Sequence, residues 1–506
     1  MKKFLAVLLS VLMASCVFRR VEVKPVATRA PVTVTSAVKA HLKDGATVVY
    51  PYGIVVTATE LLGRGTYYDA TLKNEKSIES VPIDDVVGME SYRERINGTE
   101  TFVVTTVAAA AGAFATAMLA VAIFGSCPTV YSADGAEEAE LFSSSVAPLF
   151  EGRDIDRLST GADTNGVVTL DIRNEAMETH YINHLQLLEV RHDPKERVVP
   201  DTHGTPVVVG QFREPAVITS REGADLRGIV SRADGRAYMS ERRTIDGATA
   251  ADMNDWIDVT VPVEKDATEA AVVFRLRNSL LNTILLYDVM LGPAGAASID
   301  WLGNDLTKIS TAVELGRWHQ KRAGLHVSVW ENGSYREVAR VPDSGPISWH
   351  DVAAVVPVPR GESRLKLRLS YLADHWRIDE LGVSFAVRDA APRSIPLASV
   401  RGHNGVAETE ALKNLAAPDD RYLQTNPGQR FSAVFDAGTA PGVTRTFLLS
   451  SQGYYTEWIR GAWVKNATLT EPFMPTDAAV LQAMRKWSTT REEFEKRFTT
   501  HRVPVQ

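Results

Sequence analysis

The chain has almost no cysteine: 506 residues hold two, Cys16 and Cys127. That count excludes a disulfide scaffold and a thiolate zinc site, which need several cysteines at set spacings. Positive charge is not in excess either, since 55 basic against 62 acidic residues leave a net charge of -7. The basic face that nucleic acid demands is missing, and that partner class is excluded. There is no G-x-S-x-G elbow, no phosphate-binding G-x-x-x-x-G-K-[ST] loop, no H-E-x-x-H and no C-x-x-C. The common signatures of nucleophilic, phosphoryl-transfer and metal-assisted catalysis are therefore absent, and no cofactor is expected. Tryptophan is missing from the first half, all nine lying at or after Trp256, and lysine and arginine are missing between Arg95 and Arg153.

What is present begins with MKKFLAVLLSVLMASC. Lys2 and Lys3, an apolar run from Phe4 to Met13 and small residues before Cys16 make the three parts of an export signal, with a run too short to span a bilayer. Ala14-Ser15-Cys16 resembles the end of a bacterial lipobox, so Cys16 is the expected lipidation site and the membrane an expected partner. Cys127 is then left without a partner in the chain, which argues for its burial.

The second apolar stretch, Phe102 to Gly125, carries no charge and is rich in alanine. At ~1.5 Å per residue, about 24 helical residues reach roughly 36 Å, enough to cross a hydrocarbon core. A transmembrane helix over 101–126 is the first expectation and a buried core helix the second; the small residues also suit helix self-association. Arg93 and Arg95 place its N-terminal flank in the cytoplasm by the positive-inside rule. A lipidated Cys16 places that flank outside. The lipid signal is taken as the stronger commitment, with the C-terminal region in the extracytoplasmic envelope.

The expected order is a signal peptide over 1–16, a Pro/Thr/Val-rich tether over 17–36 and a small β-barrel over 37–95 of SH3-like or Sm-like type, with Lys43-Asp44-Gly45 as a hairpin turn. After the apolar stretch, β-sandwich regions are expected over 127–295 and 296–390, with Ala133-Asp134-Gly135 and Asn332-Gly333 as turns. Three segment pairs share one plan of alternating strand, loop and second strand: VTLDIRN with HLQLLEV, VVFRLRN with YDVMLG, and LKLRLSY with IDELGVSF. A C-terminal β module over 391–475 and two helices over 476–499 complete the mainly β fold, Thr476 capping one helix and Thr490 with Glu493 boxing the other.

The lipobox, the KDG-containing β segment, the apolar stretch, GSCPTVYSADG and ELFSSSVAPLFEGRD together resemble a family of uncharacterised bacterial lipoproteins, over about residues 37–200. The resemblance implies an architecture and no activity. Residues 417–458 resemble terminal β segments of some large exported bacterial proteins that carry repeats.

Site candidates are few. His180 and His184 would share a face on a helix, but on a strand four residues span about 13 Å, too far for one ion; no metal is expected. Trp349-His350-Asp351 and Asp374-His375-Trp376 set His beside Asp without the geometry of a triad. Asp379 and Glu380 are a conceivable hydrolase pair among many acids. Trp330, Trp349 and Trp376 are the candidate ligand-binding residues, as sugar-stacking rings or as core packing. The leading expectation is a non-enzymatic envelope lipoprotein that binds or scaffolds a partner left open by the sequence, an envelope protein or a glycan being the candidates. The alternative is a surface protein that binds or hydrolyses a glycan.

Overall fold

The computed structural model describes residues 19–25, 31–42, 46–50, 52–68, 75–96, 128–143, 145, 151–294, 318, 321–419, 421–458, 476–500 and 505. Cys16, Cys127 and the apolar stretch at 102–125 lie outside them. Among the described residues the chain is mainly β, and no helix is long and apolar enough to cross a membrane.

The N-terminal unit is an eight-stranded antiparallel sheet. Its order is Arg19–Pro25, Val86–Ile96, Ala37–Leu42, Thr47–Tyr50, Glu60–Tyr68, Ile54–Val56 and Val32–Val34, with Glu75–Pro82 joined to Glu60–Tyr68. Two of these strands fall in the expected tether, which is thereby corrected: RRVEVKP alternates with period two and pairs along Val86–Ile96, as a strand does. One core of Val38, Ala40, Val48, Tyr50, Ile54, Val56, Leu61 and Met89 holds the unit together.

The remainder is not two sandwiches in sequence followed by a third β module. Strands from 129–191 pair with strands from 393–457 in one nine-stranded sheet, and the intervening chain forms separate layers. Val167–Arg173 lies against Arg430–Asp436, and Glu178–Arg191 runs along Arg445–Glu457. Arg393–Gly402 pairs with both Arg430–Asp436 and Glu178–Arg191, so the sheet folds over a core of Leu170, Ile172, Leu185, Leu187, Phe435 and Leu449. The expected boundaries at 295/296 and 390/391 cut through these pairings. Sequence-local reading cannot see partners some 260 residues apart.

Within that outer sandwich sits an inserted one. Val217–Ser220, Asn254–Pro262, Arg364–Leu372, Leu325–Glu331 and Ser334–Val341 form a five-stranded sheet, facing a three-stranded sheet of His350–Pro357, Glu269–Asn278 and Trp376–Ser384. Ile257, Val259, Phe274, Leu276, Val327, Leu367, Leu369 and Ile378 fill the space between. A further small sheet, Arg197–Pro200, Pro206–Val209 and Val387–Asp389, is the common wall. Val198 and Val208 meet Leu188 and Leu448 of the outer sandwich, while Val199, Val207 and Val209 meet Ala271, Val273 and Ala353 of the inserted one.

Two of the hairpin turns fall where expected, and Lys43-Asp44-Gly45 lies outside the described residues. Asn332 (φ 53°) and Gly333 (φ 84°) link two strands of the five-stranded sheet, the left-handed pair that a tight hairpin requires. Gly135 (φ 84°) turns the strand at 129–132 into that at 137–140. Two expectations fail. YDVMLG is helical, within Ile284–Leu291 and the following turn Gly292–Ala294, because a short apolar run reads equally as strand or buried helix. The two C-terminal helices are one, Asp477–Thr500. Thr476 caps it, accepting from the Ala479 amide at 3.1 Å, but Thr490 is mid-helix and donates its hydroxyl to the Lys486 carbonyl. Val480, Ala483, Met484, Trp487 and Phe494 line one face and pack on Leu281, Ile284 and Leu285.

Candidate functional site

The outer face of the five-stranded sheet follows from strict alternation. Along Asn254–Pro262 the odd-numbered Asp255, Ile257, Val259 and Val261 point inward, leaving Trp256, Asp258 and Thr260 outward. Along Arg364–Leu372 the inward set is Leu365, Leu367 and Leu369, leaving Lys366, Arg368 and Ser370. Register then sets Asp258 opposite Arg368, Arg368 opposite Ser328, and Trp330 opposite Tyr335.

These side chains form a ladder of rings and guanidinium groups. The Trp330 and Tyr335 rings meet edge to face, centroids 5.0 Å apart. Arg368 lies over Tyr335 at 4.4 Å and over Trp256 at 4.8 Å, and Arg221 lies over Trp256 at 4.6 Å. Each contact has the geometry of a cation–π attraction. Asp258 fixes Arg368 through two 2.8 Å hydrogen bonds and accepts from the Tyr335 hydroxyl at 3.4 Å. Burial, with Asp258 adding to it, pushes the Tyr335 phenol up. Asp252 pairs with Arg221, and Glu337 pairs with His326 and Arg340. Rings held beside fixed charges on a sheet face can stack on a planar apolar surface while bonding to hydroxyl or amide groups at its rim.

The candidate tryptophans separate. Trp330 stands at the end of this ladder. Trp349 lies away from it, under Arg277 of the opposing sheet at 5.0 Å. Trp376 is a core residue, 1% exposed, and cannot stack on a ligand. Trp256, Tyr335 and Arg368 went unrecognised in the sequence. The alternation was legible there, but their proximity depends on register between strands.

His180 and His184 do not converge. Asn183 is an extra residue in its strand, a β-bulge between Ile182 and His184, and a bulge inverts the alternation. Ile182 before it and Leu185 after it both face the core, so His180 and His184 fall on opposite faces. His180 is buried beside Glu178 at 3.3 Å, and burial and Arg153 lower His184.

The His–Asp dipeptides join structural networks at the seams. His350 Nδ1 lies 2.8 Å from Asp156, on the strand Gly152–Arg157 of the outer sandwich. Its neighbour Asp351, on the other side of the strand, accepts 2.8 Å hydrogen bonds from Arg157 and Arg197, with Arg275 at 3.5 Å. Asp374 binds Arg377, Trp487 and Arg491, while His375 Nε2 is 2.8 Å from Asp343. Asp379 accepts from the Gly235 amide at 2.8 Å and faces Arg275, and Glu380 binds Arg197. Both acids of the conceivable hydrolase pair are thus committed to cross-links.

The seam at His350 titrates unusually. Burial pushes Glu140 up to about 7, and burial with Asp156 alongside pushes Asp154 up to about 7. Burial opposes a charge on His350, but Asp156, Asp154 and Glu140 raise it to about 9. All three groups hold protons in the folded chain that they have lost when unfolded. The acids contribute stability at low pH that disappears between about pH 4 and 7, and His350 contributes stability that disappears between about pH 6.5 and 9. Thermal unfolding midpoints should therefore fall from pH 5 to pH 9, and His350→Gln should flatten the upper half of that fall. Midpoints that rise over this range would contradict the assignment.

No protein-family model matches the chain, and no curated protein matches it. Among solved structures, a GH31 alpha-xylosidase from Xanthomonas citri aligns over 85% of this chain and 34% of its own length, at 10% identity and a TM-score of 0.15. An exo-beta-1,3-galactanase from Phanerochaete chrysosporium aligns over 71% of this chain and 84% of its own, at 9% identity and a TM-score of 0.16. Scores this low establish no common fold. The chain also spans only about a third of the xylosidase.

Proposed function

We propose that this chain is an envelope lipoprotein, anchored through Cys16, with a non-enzymatic binding role whose contact surface is the outer face of the five-stranded sheet. The observation that supports this reading is the Trp330–Tyr335–Arg368–Trp256–Arg221 ladder. Its groups are held by Asp258 and Asp252 on the side of the sheet away from the core. Large rings with few rotatable bonds and fixed guanidinium groups are the residue types that dominate binding energy at interfaces. The ligand in this reading is another envelope protein.

Trp330 favours a second reading, a glycan. Among the described residues its ring meets Tyr335 in a T-shaped contact and no guanidinium lies over it, and a ring at the end of the ladder can stack on the apolar face of a sugar.

The test uses the full chain carrying Cys16→Ser, which removes the expected acyl site, on a glycan array. Binding weakened at least about tenfold by Trp330→Ala, a loss of ~1.4 kcal/mol, supports the glycan. With no glycan bound, photo-crosslinking from position 330 in cells should give one discrete envelope-protein adduct. Absence of both would overturn the assignment of this face. Loss of lipid labelling in Cys16→Ser tests the anchor separately.

A further inference from the structure

The strand Ala37–Leu42 has two buried faces. Val38 and Ala40 enter the core of the N-terminal sheet, but Lys39, on the other side, is also only 2% exposed. Val49, its partner across the ladder, is buried without belonging to that core. Lys39 Nζ lies 5.0 Å from the ring centroid of Trp458. Trp458 belongs to the outer sandwich: its Nε1 donates to Thr179 at 2.8 Å and its amide to the Met177 carbonyl at 2.9 Å. At Lys39, the second face of the N-terminal sheet therefore touches a unit built from residues that follow the 102–125 stretch.

Where the chain leaves the N-terminal sheet matters equally. Arg19 and Ile96 are paired, the last rung between Arg19–Pro25 and Val86–Ile96. Cys16 is three residues beyond that rung on one strand, and Phe102 six beyond it on the other. A chain reaches at most ~3.3–3.6 Å per residue, so the expected acyl site Cys16 and the start of the 102–125 stretch both lie within roughly 10–20 Å of this rung. The register sets Arg20 opposite Arg95, Val21 opposite Glu94 and Glu22 opposite Arg93 in the next rungs, so Arg19, Arg20, Arg93 and Arg95 share this end of the ribbon with Glu22 and Glu94 and leave it net positive. Basic clusters beside an apolar segment attract anionic headgroups.

We infer that the rung Arg19–Ile96 is the lipid-facing end of the molecule, and that the chain before and after residues 102–125 lies on one side of the membrane. A single crossing between Ile96 and Thr129 would put Lys39 and Trp458 in different compartments. They are in contact, so the number of crossings between them is even or zero. This resolves the conflict between the arginine bias and the lipid signal: the arginines mark attraction to headgroups, and the compartment is set at the N-terminus. The inference rests on the membrane anchoring proposed above, but not on which side of the membrane the fold occupies.

The test places one cysteine in each unit of the full chain, in a Cys127→Ser background: Tyr52→Cys in the N-terminal sheet (81% exposed) and Val406→Cys in the outer sandwich (61% exposed). A membrane-impermeant maleimide is applied to spheroplasts and then to permeabilised cells. Labelling of both sites in spheroplasts supports one compartment and export together. Labelling of both only after permeabilisation still supports one compartment but removes export. Labelling of one site in spheroplasts and the other only after permeabilisation overturns the inference and leaves export standing. For the lipid-facing end, a fluorophore on Ile96→Cys in vesicles of phosphatidylethanolamine and phosphatidylglycerol should be quenched by spin-labelled lipid, and one on Val406→Cys should not. Equal quenching at the two sites would overturn that assignment.

Discussion

Replacing Asp351 by alanine is expected to destabilise the two-sandwich body by about 3–5 kcal/mol, the range for breaking a buried charge pair by removing one partner. Its side chain is 2% exposed, and it accepts from Arg157 of the outer sandwich, Arg197 of the common wall and, at longer range, Arg275 of the inserted sandwich. Without the carboxylate three guanidinium groups face one another with only Glu380 and Asp379 left to share. Asp351→Asn keeps the acceptor oxygen and loses the charge, so it should fall between the two. Denaturant midpoints and protease cleavage at the seam read this directly. A shift of Asp351→Ala within about 0.5 kcal/mol of the parent, the usual range for surface changes, would show that the arginines find other partners.

The second large effect is at Asp374, which docks the C-terminal helix. Fully buried, it accepts from Arg377 at 2.8 Å, from the Trp487 indole at 2.6 Å and from Arg491 at 3.1 Å. Its φ of 61° is left-handed, a conformation that Asp and Asn adopt more readily than most residues. Asp374→Ala therefore removes the acceptor and strains the backbone, with an expected cost again of about 3–5 kcal/mol. Asp374→Asn tolerates the backbone and should cost less. Hydrogen exchange over 477–500 should rise sharply in the alanine variant while the nine-stranded sheet keeps its protection. A uniform rise over the whole chain would mean that Asp374 supports far more than the helix.

Local physics made much of this legible in advance. Asn332-Gly333 and Asp134-Gly135 turn their hairpins because the residue chemistry dictates the dihedral angles. Leu365, Leu367 and Leu369 alternate because one side of the strand is buried. The amphipathic stripe from Val480 to Phe494 announces a helix, although the capping-box pattern at Thr490 suggested a break that the continuous apolar face overrides. What was not legible depends on distance along the chain. Nothing near Val167–Arg173 specifies pairing with Arg430–Asp436. The ladder was hidden for the same reason, since Tyr335, Arg368 and Trp256 come from three strands whose neighbours are fixed by the whole sheet. For Trp376 the core-packing alternative holds, and the sequence could not single it out because it does not say which tryptophans the core consumes.

The interleaving of the two sandwiches also has a temporal consequence. Synthesis delivers the N-terminal part first, so the strands at 129–191 are made long before those at 393–457 that pair with them. Until then Glu178–Arg191 has neither of its long neighbours, Arg393–Gly402 and Arg445–Glu457, and unpaired strand edges invite association with other chains. The inserted sandwich takes all its strands from 217–384 and can collapse as soon as it is complete, drawing the two ends of the outer sheet together and shortening the loop to be closed. A chain that has emerged as far as residue 390 carries a finished inner module and an outer one still waiting for its second half.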